Sequence, residues 1–271
     1  MGDLWRVLYT PPARGAWNMA VDEAILEHVG RGDSLPTLRL YAWEPPCLSL
    51  GFAQPFAEVN LVALREHGWD VVRRPTGGRA ILHTDELTYA VIAPPEDPRV
   101  VGSVLESYRR LAAALLEALR RLGLEPEIKG ETPGAGNAPN PVCFEVPSSY
   151  EITVGGKKLI GSAQSRRREG VLQHGSLPLT GDLTRITRAL LFPDEAARRE
   201  AAERLLARAT TVERALGRRV TWEAAAQAFV GAFETALGIQ FAPGELSASE
   251  EERARELMRE KYEHPSWTER V

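Results

Sequence analysis

The sequence contains few cysteines and lysines: two cysteines and four lysines in 271 residues. Two thiols, Cys47 and Cys143, are too few for the disulfide framework of a small secreted protein, so each serves either packing or chemistry. No apolar run approaches the roughly 20 residues of a membrane-spanning helix. The charged, proline-broken N-terminus also lacks the apolar core of a signal peptide. These absences favour a cytoplasmic protein that makes no membrane contact.

The charge balance does not favour nucleic-acid binding. The net charge is −4 and the isoelectric point is about 5.9, so no overall basic field would attract a polyanion. Hydrophobic residues make up 44% of the chain and charged residues 26%, which is typical of a folded globular protein. We expect a single domain over residues 1–271 and, by default, a monomer.

Hydrophobic periodicity predicts a mixed α/β or α+β body, with residues 182–271 as a helical C-terminal extension packed on it. Gly30 is expected to cap the first helix, and Ser103 with Glu106 forms a predicted capping box. Residues 132–141 are a loop rich in Gly, Pro and Asn. The predicted helices are 18–29, 56–67, 103–122, 196–209, 222–237 and 249–262. The predicted strands are 37–43, 47–51, 69–74, 80–83, 87–93, 150–154, 158–163 and 170–179.

An arginine-flanked glycine turn is the first candidate for chemistry. Arg73, Arg74 and Arg79 surround Pro-Thr-Gly-Gly, whose glycines are Gly77 and Gly78. Glycines allow close approach of a ligand and leave N–H groups available for an acyl oxygen or a phosphate. Short glycine motifs also occur in plain hairpins with a solvated basic rim, so both interpretations stay open.

A second candidate combines Cys143, which follows the loop, with Lys158 across a predicted hairpin. An ammonium group near a thiol lowers the pKa of the thiol, and such a pair could pass an acyl group through a thioester. Taken alone, the two residues also fit packing and surface positions. Lys157 should point to solvent, because consecutive residues of a strand face opposite sides. Cys47 lies within a strand and is interpreted as packing.

Two further features stay open at this stage. His174 either lines a site or satisfies a hydrogen bond in the core. The basic run of Arg166, Arg167 and Arg168 forms either a solvated turn or a docking point for an acidic partner.

Together, these segments resemble octanoyltransferases of the LipM type, which belong to the biotin/lipoate protein ligase superfamily. The resemblance covers roughly residues 15 to 180, and the terminal KYEHPSWTER is similar to the closing segment of the family. The matching stretches occur in family order: NMAVDEAI, RLYAWEPPCLSLGFAQ, RRPTGGRAILHTDELTYAV, CFEVPSSYEI, GGKKLIGSAQ and GVLQHGSLPL.

The resemblance implies a central mixed β-sheet flanked by helices, and it implies a reaction. An octanoyl group would move from octanoyl-acyl carrier protein, through a cysteine thioester, to a lysine of a lipoyl domain such as the glycine cleavage H protein. No ATP, cofactor or metal is expected. Cys143 matches the nucleophile of the family and Lys158 its site lysine. The acyl-binding loop is matched by Arg73, Gly77, Gly78 and His83.

Three alternatives remain within this resemblance. An ATP-dependent lipoate–protein ligase would carry a third glycine in place of Arg79, and commonly Asp in place of Thr84 after His83. An octanoyl amidotransferase that acts between lipoyl domains also uses a cysteine, but its glycine loop differs. A non-catalytic paralogue would keep the fold without needing Cys143 and Lys158.

Overall fold

A computed structural model describes residues 3–129 and 151–271 of the chain as two β-sheets covered by helices. The strands are β1 Leu4–Tyr9, β2 Thr37–Tyr41, β3 Cys47–Leu50, β4 Asp70–Arg73, β5 Ile81–His83, β6 Glu86–Ala93, β7 Pro126–Lys129, β8 Glu151–Val154, β9 Lys157–Arg166, β10 Val171–Pro178 and β11 Gln240–Pro243. The helices are α1 Gly15–Arg31, α2 Leu61–His67, α3 Val104–Arg121, α4 Ile186–Ala189, α5 Glu195–Arg208, α6 Val212–Leu216, α7 Trp222–Leu237, α8 Ala248–Leu257 and α9 Pro265–Thr268.

The larger sheet has eight strands in the order β11-β1-β2-β6-β10-β9-β8-β7. Strand β1 pairs in parallel with β11 and β2, and all the other pairings are antiparallel. Every residue of β6 and β10 is buried, because helices cover one face of the sheet there and helix α1 together with the smaller sheet covers the other. This arrangement confirms the expected mixed sheet flanked by helices.

Two helix pairs cover the two faces of the larger sheet. Helices α3 and α7 pack together on one face, where Leu111, Leu115, Phe229 and Phe233 enter one core. Helices α1 and α8 cover the other face and enclose a second core. In the part of the chain that the structure describes, each helix is too short or too polar to cross a lipid bilayer.

The smaller sheet has the order β4-β3-β5, with β3 parallel to β4 and antiparallel to β5. Its apolar side packs on a third core that includes Leu48, Leu64 and Leu205, from β3, α2 and α5. The Pro-Thr-Gly-Gly turn connects β4 to β5. The small sheet therefore fixes both ends of the predicted acyl-binding turn.

Helix boundaries follow the capping chemistry, with two corrections. The Ser103–Glu106 capping box is confirmed. Helix α1 runs past Gly30 to Arg31 and is capped by Gly32, whose φ of 78° is the left-handed conformation that glycine adopts easily. The predicted helix over 56–67 is divided, because Asn60 accepts from the Ala63 N–H and starts α2 after a separate 3₁₀ turn.

The C-terminal third is mostly helical, as expected, but it also contributes a strand. Strand β11 adds to the edge of the larger sheet by pairing with β1. Its four residues, Gln-Phe-Ala-Pro, are too few and too irregular to show the alternation of a strand. Residues 182–271 therefore complete the sheet as well as covering it.

Candidate functional site

A cavity lies between the larger sheet and the smaller one. Its wall on the larger sheet comes from β2, β6, β9 and β10, and its opposite wall comes from β3, β5 and the glycine turn. The lining residues are Met19, Tyr41, Trp43, Ser49, Arg74, Gly78, Ile81, His83, Thr88, Gly161, Ser162, Ala163, His174, Gly175 and Ser176.

Small residues of β9 and β10 form one wall of this cavity. Gly175 pairs with Ser162, and Ser176 pairs with Gly161. A Cβ atom added to Gly175 would lie 2.6 Å from the Gly161 carbonyl oxygen and 2.6 Å from the Tyr89 ring, so no larger residue fits there. Close packing at this point requires the glycine.

His83 is held rigidly on the side of the small sheet. Its Nδ1 lies 2.7 Å from Glu86 Oε1, and its Nε2 lies 2.7 Å from Ser49 Oγ. Its ring stacks on Trp43 with the centroids 3.9 Å apart. Burial raises the pKa of Glu86, but the adjoining His83 and the hydroxyl donors Ser176 and Thr88 more than offset it, so the pKa of Glu86 is lowered. Glu86 therefore stays ionised and fixes the imidazole.

A second histidine, His174, connects the glycine turn to helix α1. Its Nε2 lies 2.6 Å from Thr76 Oγ1, and its Nδ1 lies 3.5 Å from Asp22 Oδ2. Asp22 also accepts from Arg39 Nη1 at 2.7 Å and from the Tyr41 hydroxyl at 3.0 Å. Burial opposes ionisation of Asp22, yet Arg39 and His174 hold its pKa below the usual value.

Burial lowers the pKa of His174, although Asp22 partly opposes that shift. The imidazole is therefore neutral near pH 7, with one N–H and one bare nitrogen. Facing a carboxylate, Nδ1 carries the proton, and Nε2 then accepts the hydroxyl proton of Thr76. His174 thus both lines the cavity and makes buried polar contacts, which answers the question that its sequence left open.

The guanidinium of Arg74 supports the glycine turn from inside. It donates to the carbonyl oxygens of Ser49, Gly77 and Arg79 at 2.9, 2.9 and 2.7 Å. Gly78 has a φ of 90°. Within the described residues, no hydrogen bond uses the N–H of Gly77 or Gly78.

Arg73 is placed differently from its neighbour. Its guanidinium is fully buried and donates to the carbonyl oxygens of Gly51, Phe52, Gln54 and Thr268. It therefore ties the C-terminal segment to the loop after β3, and it is not among the described residues that line the cavity. Direct acyl binding by Arg73 stays a prediction, whereas Arg74 does reach the cavity.

Of the two predicted catalytic residues, the structure describes one. Cys143 lies outside the described residues. Lys158 is 5% exposed, and its Nζ lies 3.1 Å from Glu151 Oε1; it is not among the described lining residues of the cavity. The expectation that Lys157 points freely to solvent is wrong, because its half-buried side chain donates to the Leu206 carbonyl at 2.6 Å.

Two arginines of the basic run, and Cys47, have structural roles. Arg166 donates to the Val100 carbonyl, and Arg167 pairs with Glu23, so only Arg168 of that run is exposed. Cys47 is completely buried, and burial raises the pKa of its thiol well above the usual value. An inert thiol agrees with the interpretation of Cys47 as packing.

Sequence reasoning missed several polar residues of the site. Asp22, Ser49, Thr76 and Glu86 are all buried and all bonded to a cavity histidine. One signal was available, because Asp22 interrupts an apolar helical face between Val21 and Ala24. A charged residue at such a position needs a buried partner.

The chain matches the family model of the lipoyl protein ligase A/B catalytic domain over residues 14–234. The octanoyltransferase LipM of Moorella thermoacetica is 43% identical over 270 residues, which make up 99% of this chain and 98% of that protein. The octanoyltransferase LipM of Bacillus subtilis is 37% identical over 271 residues, with 98% of each chain covered.

Solved structures with the same fold include lipoate ligases. The bi-partite lipoate protein ligase of Thermoplasma acidophilum superposes with a TM-score of 0.81 at 26% identity, covering 98% of this chain and 96% of that one. A lipoate-protein ligase A bound with ATP gives a TM-score of 0.79 at 26% identity, covering 98% of both chains.

Proposed function

The chain belongs to the lipoyl protein ligase A/B catalytic domain family, and we propose that it transfers an octanoyl group through a thioester on Cys143. It is an acyltransferase of the octanoyltransferase type, acting in protein lipoylation. The observation that carries the proposal is the 43% identity to an octanoyltransferase over nearly the whole of both chains.

The proposed donor is octanoyl-acyl carrier protein, and the proposed acceptor is a lysine of a lipoyl domain such as the glycine cleavage H protein. The Cys143 thiolate attacks the thioester carbonyl of the donor, and the carrier leaves as its thiolate, which takes up a proton from water. The acceptor amine then attacks the Cys143 thioester, an amide forms, and the cysteine thiol is regenerated. Exchange between thioesters is nearly isoenergetic and amide formation is downhill, so no cofactor or metal is needed.

The cavity supplies the interactions that such a transfer requires. Apolar surfaces of Met19, Trp43 and Ile81 can accept the acyl chain. The N–H groups of Gly77 and Gly78 can donate to the acyl oxygen, which becomes negative during attack. In this proposal His83 lines the acyl site with its ring fixed by Glu86 and Trp43.

An ATP-dependent ligase is the second candidate, because structures of this fold include a ligase bound with ATP. The identity to that ligase is 26%, against 43% to the octanoyltransferase. Arg79 also stands where the ligases carry a third glycine. Both differences favour the transferase.

Turnover should therefore require no nucleotide. We expect the intact mass of the protein to increase by one octanoyl group after mixing with octanoyl-acyl carrier protein in EDTA. The bound group should then move to a lipoyl domain. Strict dependence on ATP and magnesium, with free octanoate or lipoate as substrate, would identify a ligase. Loading only from an octanoylated H protein would identify an amidotransferase.

The two glycines of the turn should differ in their tolerance of a side chain. Gly78→Ala should slow thioester formation by about 10- to 100-fold, because alanine disfavours the φ of 90° and the turn must rearrange. Gly77→Ala is the matched control, since a Cβ atom there meets nothing within 4 Å. Both variants are compared by their rates of octanoyl loading, which are followed by intact mass. Circular dichroism checks that each variant is folded. Equal rates in the two variants would argue against a role for the geometry of Gly78.

A further inference from the structure

A chain of polar contacts runs from helix α1 to the glycine turn, and none of its members matches a predicted catalytic residue. We infer that Asp22, His174 and Thr76 form a positioning relay that holds the N–H groups of Gly77 and Gly78 toward the acyl carbonyl. The inference rests on the proposed function, because it assigns the relay to the acyl site of that transfer.

The first member, Asp22, is a fixed anchor. It lies on α1, is completely buried, and is held by Arg39 from β2 at 2.7 Å and by the Tyr41 hydroxyl at 3.0 Å. Arg39 in turn donates to the backbone carbonyl of Asn18 at 2.9 Å and to its side-chain oxygen at 2.7 Å. Both elements belong to the rigid core, so the carboxylate has little freedom to move.

The second member, His174, connects the fixed Asp22 carboxylate to Thr76 on the opposite side of the cavity. It is 7% exposed and lies on the fully buried strand β10. With its Nδ1 proton directed at Asp22, its Nε2 presents a lone pair to Thr76 at 2.6 Å. The relay therefore has a direction, in which Thr76 donates and His174 accepts.

The third member, Thr76, directly precedes the two glycines of the turn and is held by both its side chain and its backbone. Its carbonyl accepts from the Phe52 N–H at 2.9 Å, while its hydroxyl is held by His174. On the far side of the turn, Arg74 holds the Gly77 carbonyl. In a trans peptide the N–H points opposite to the carbonyl, so the Gly78 N–H points away from Arg74.

A turn with two adjacent glycines has little conformational preference of its own. Donors that stabilise a developing negative charge work only when they are held in place beforehand, and a displacement of about 1 Å can slow a reaction by about 100-fold. Thr76 is the buried residue next to these N–H donors, so a contact from outside the turn has its largest effect on their position when it is made to Thr76. The relay supplies that anchor.

Thr76→Val tests the relay, because valine keeps the shape of threonine and removes the hydroxyl. We expect the rate constant for thioester formation at saturating octanoyl-acyl carrier protein to fall by about 10- to 100-fold. The half-saturating donor concentration should change little, and the unfolding midpoint should fall only by as much as the loss of one buried hydrogen bond predicts. Thr76→Ser should restore most of the rate, because the hydroxyl returns. Thr187→Val is the control for the same change at a buried threonine of α4.

A double-mutant cycle with His174→Asn separates the relay from independent effects. If Thr76 and His174 act through one bond, the double variant should be no slower than the slower single variant. Losses that multiply in the double variant, or a wild-type rate in Thr76→Val, would overturn the relay. If Thr76→Val does not fold, a normal rate in folded His174→Asn would overturn it equally. A wild-type protein that never acquires an octanoyl group would instead refute the proposed function, and the relay with it.

Discussion

Replacing Cys143 with alanine should abolish octanoyl transfer, whereas Cys47→Ala should keep most of it. Cys143 is expected to form the covalent bond to the acyl group, and no other residue could take over that bond. Cys47 is excluded as the nucleophile by its surroundings. Burial raises the pKa of its thiol and keeps the octanoyl donor from reaching it. Intact mass after mixing with octanoyl-acyl carrier protein, followed by transfer to a lipoyl domain, measures both steps.

Cys47→Ala is a fair control because its cost is structural. The Cys47 sulfur packs closely against α1, since a Cβ atom added to Gly15 would lie 2.4 Å from it. Removing a buried sulfur from such a site costs about 1 kcal/mol of stability, which a folded protein of this size tolerates. A loss of loading in Cys47→Ala at full folding, with loading retained in Cys143→Ala, would exchange the two assignments.

The fold was predictable because its elements carry local signals. Helix α3 shows an apolar face and a capping box, and both are present. The sequence patterns did not predict β1, β7 or β11. Strand β11 has four residues, which give no period, and its identity as a strand depends on β1, which lies at the other end of the sequence. Elements that exist only through a distant partner are not visible in local patterns.

The site was less predictable than the fold, and for a related reason. The glycine turn and His83 are contiguous in sequence and carry a recognisable pattern. Thr76 and His174 are 98 positions apart, and only the packing of the smaller sheet against the larger one brings them together. Arg73 and Arg74 show a second reason why the site was hard to predict. Adjacent side chains leave a strand end in different directions, and the sequence does not show which of the two reaches the cavity.

The site lysine offers the second large effect. Lys158→Ala should reduce octanoyl transfer by orders of magnitude, because its ammonium is expected to favour the Cys143 thiolate and polarise the acyl carbonyl. At 5% exposure, its charge is little screened by water, and the ion pair with Glu151 at 3.1 Å fixes the position of the ammonium. Lys158→Arg keeps the charge but changes its geometry, so it should recover only part of the loss.

Lys157→Ala is the matched control on the same strand. The Lys157 ammonium bonds to the Leu206 carbonyl near the end of α5, so its removal should cost about 0.5–1.5 kcal/mol of stability and leave transfer nearly intact. Single-turnover loading and transfer rates, measured with the unfolding midpoint of each variant, separate the two effects. A larger loss of transfer in Lys157→Ala than in Lys158→Ala would show that the catalytic charge belongs to Lys157 and not to Lys158. Equal, small losses in both would mean that the thioester forms and breaks without help from either ammonium.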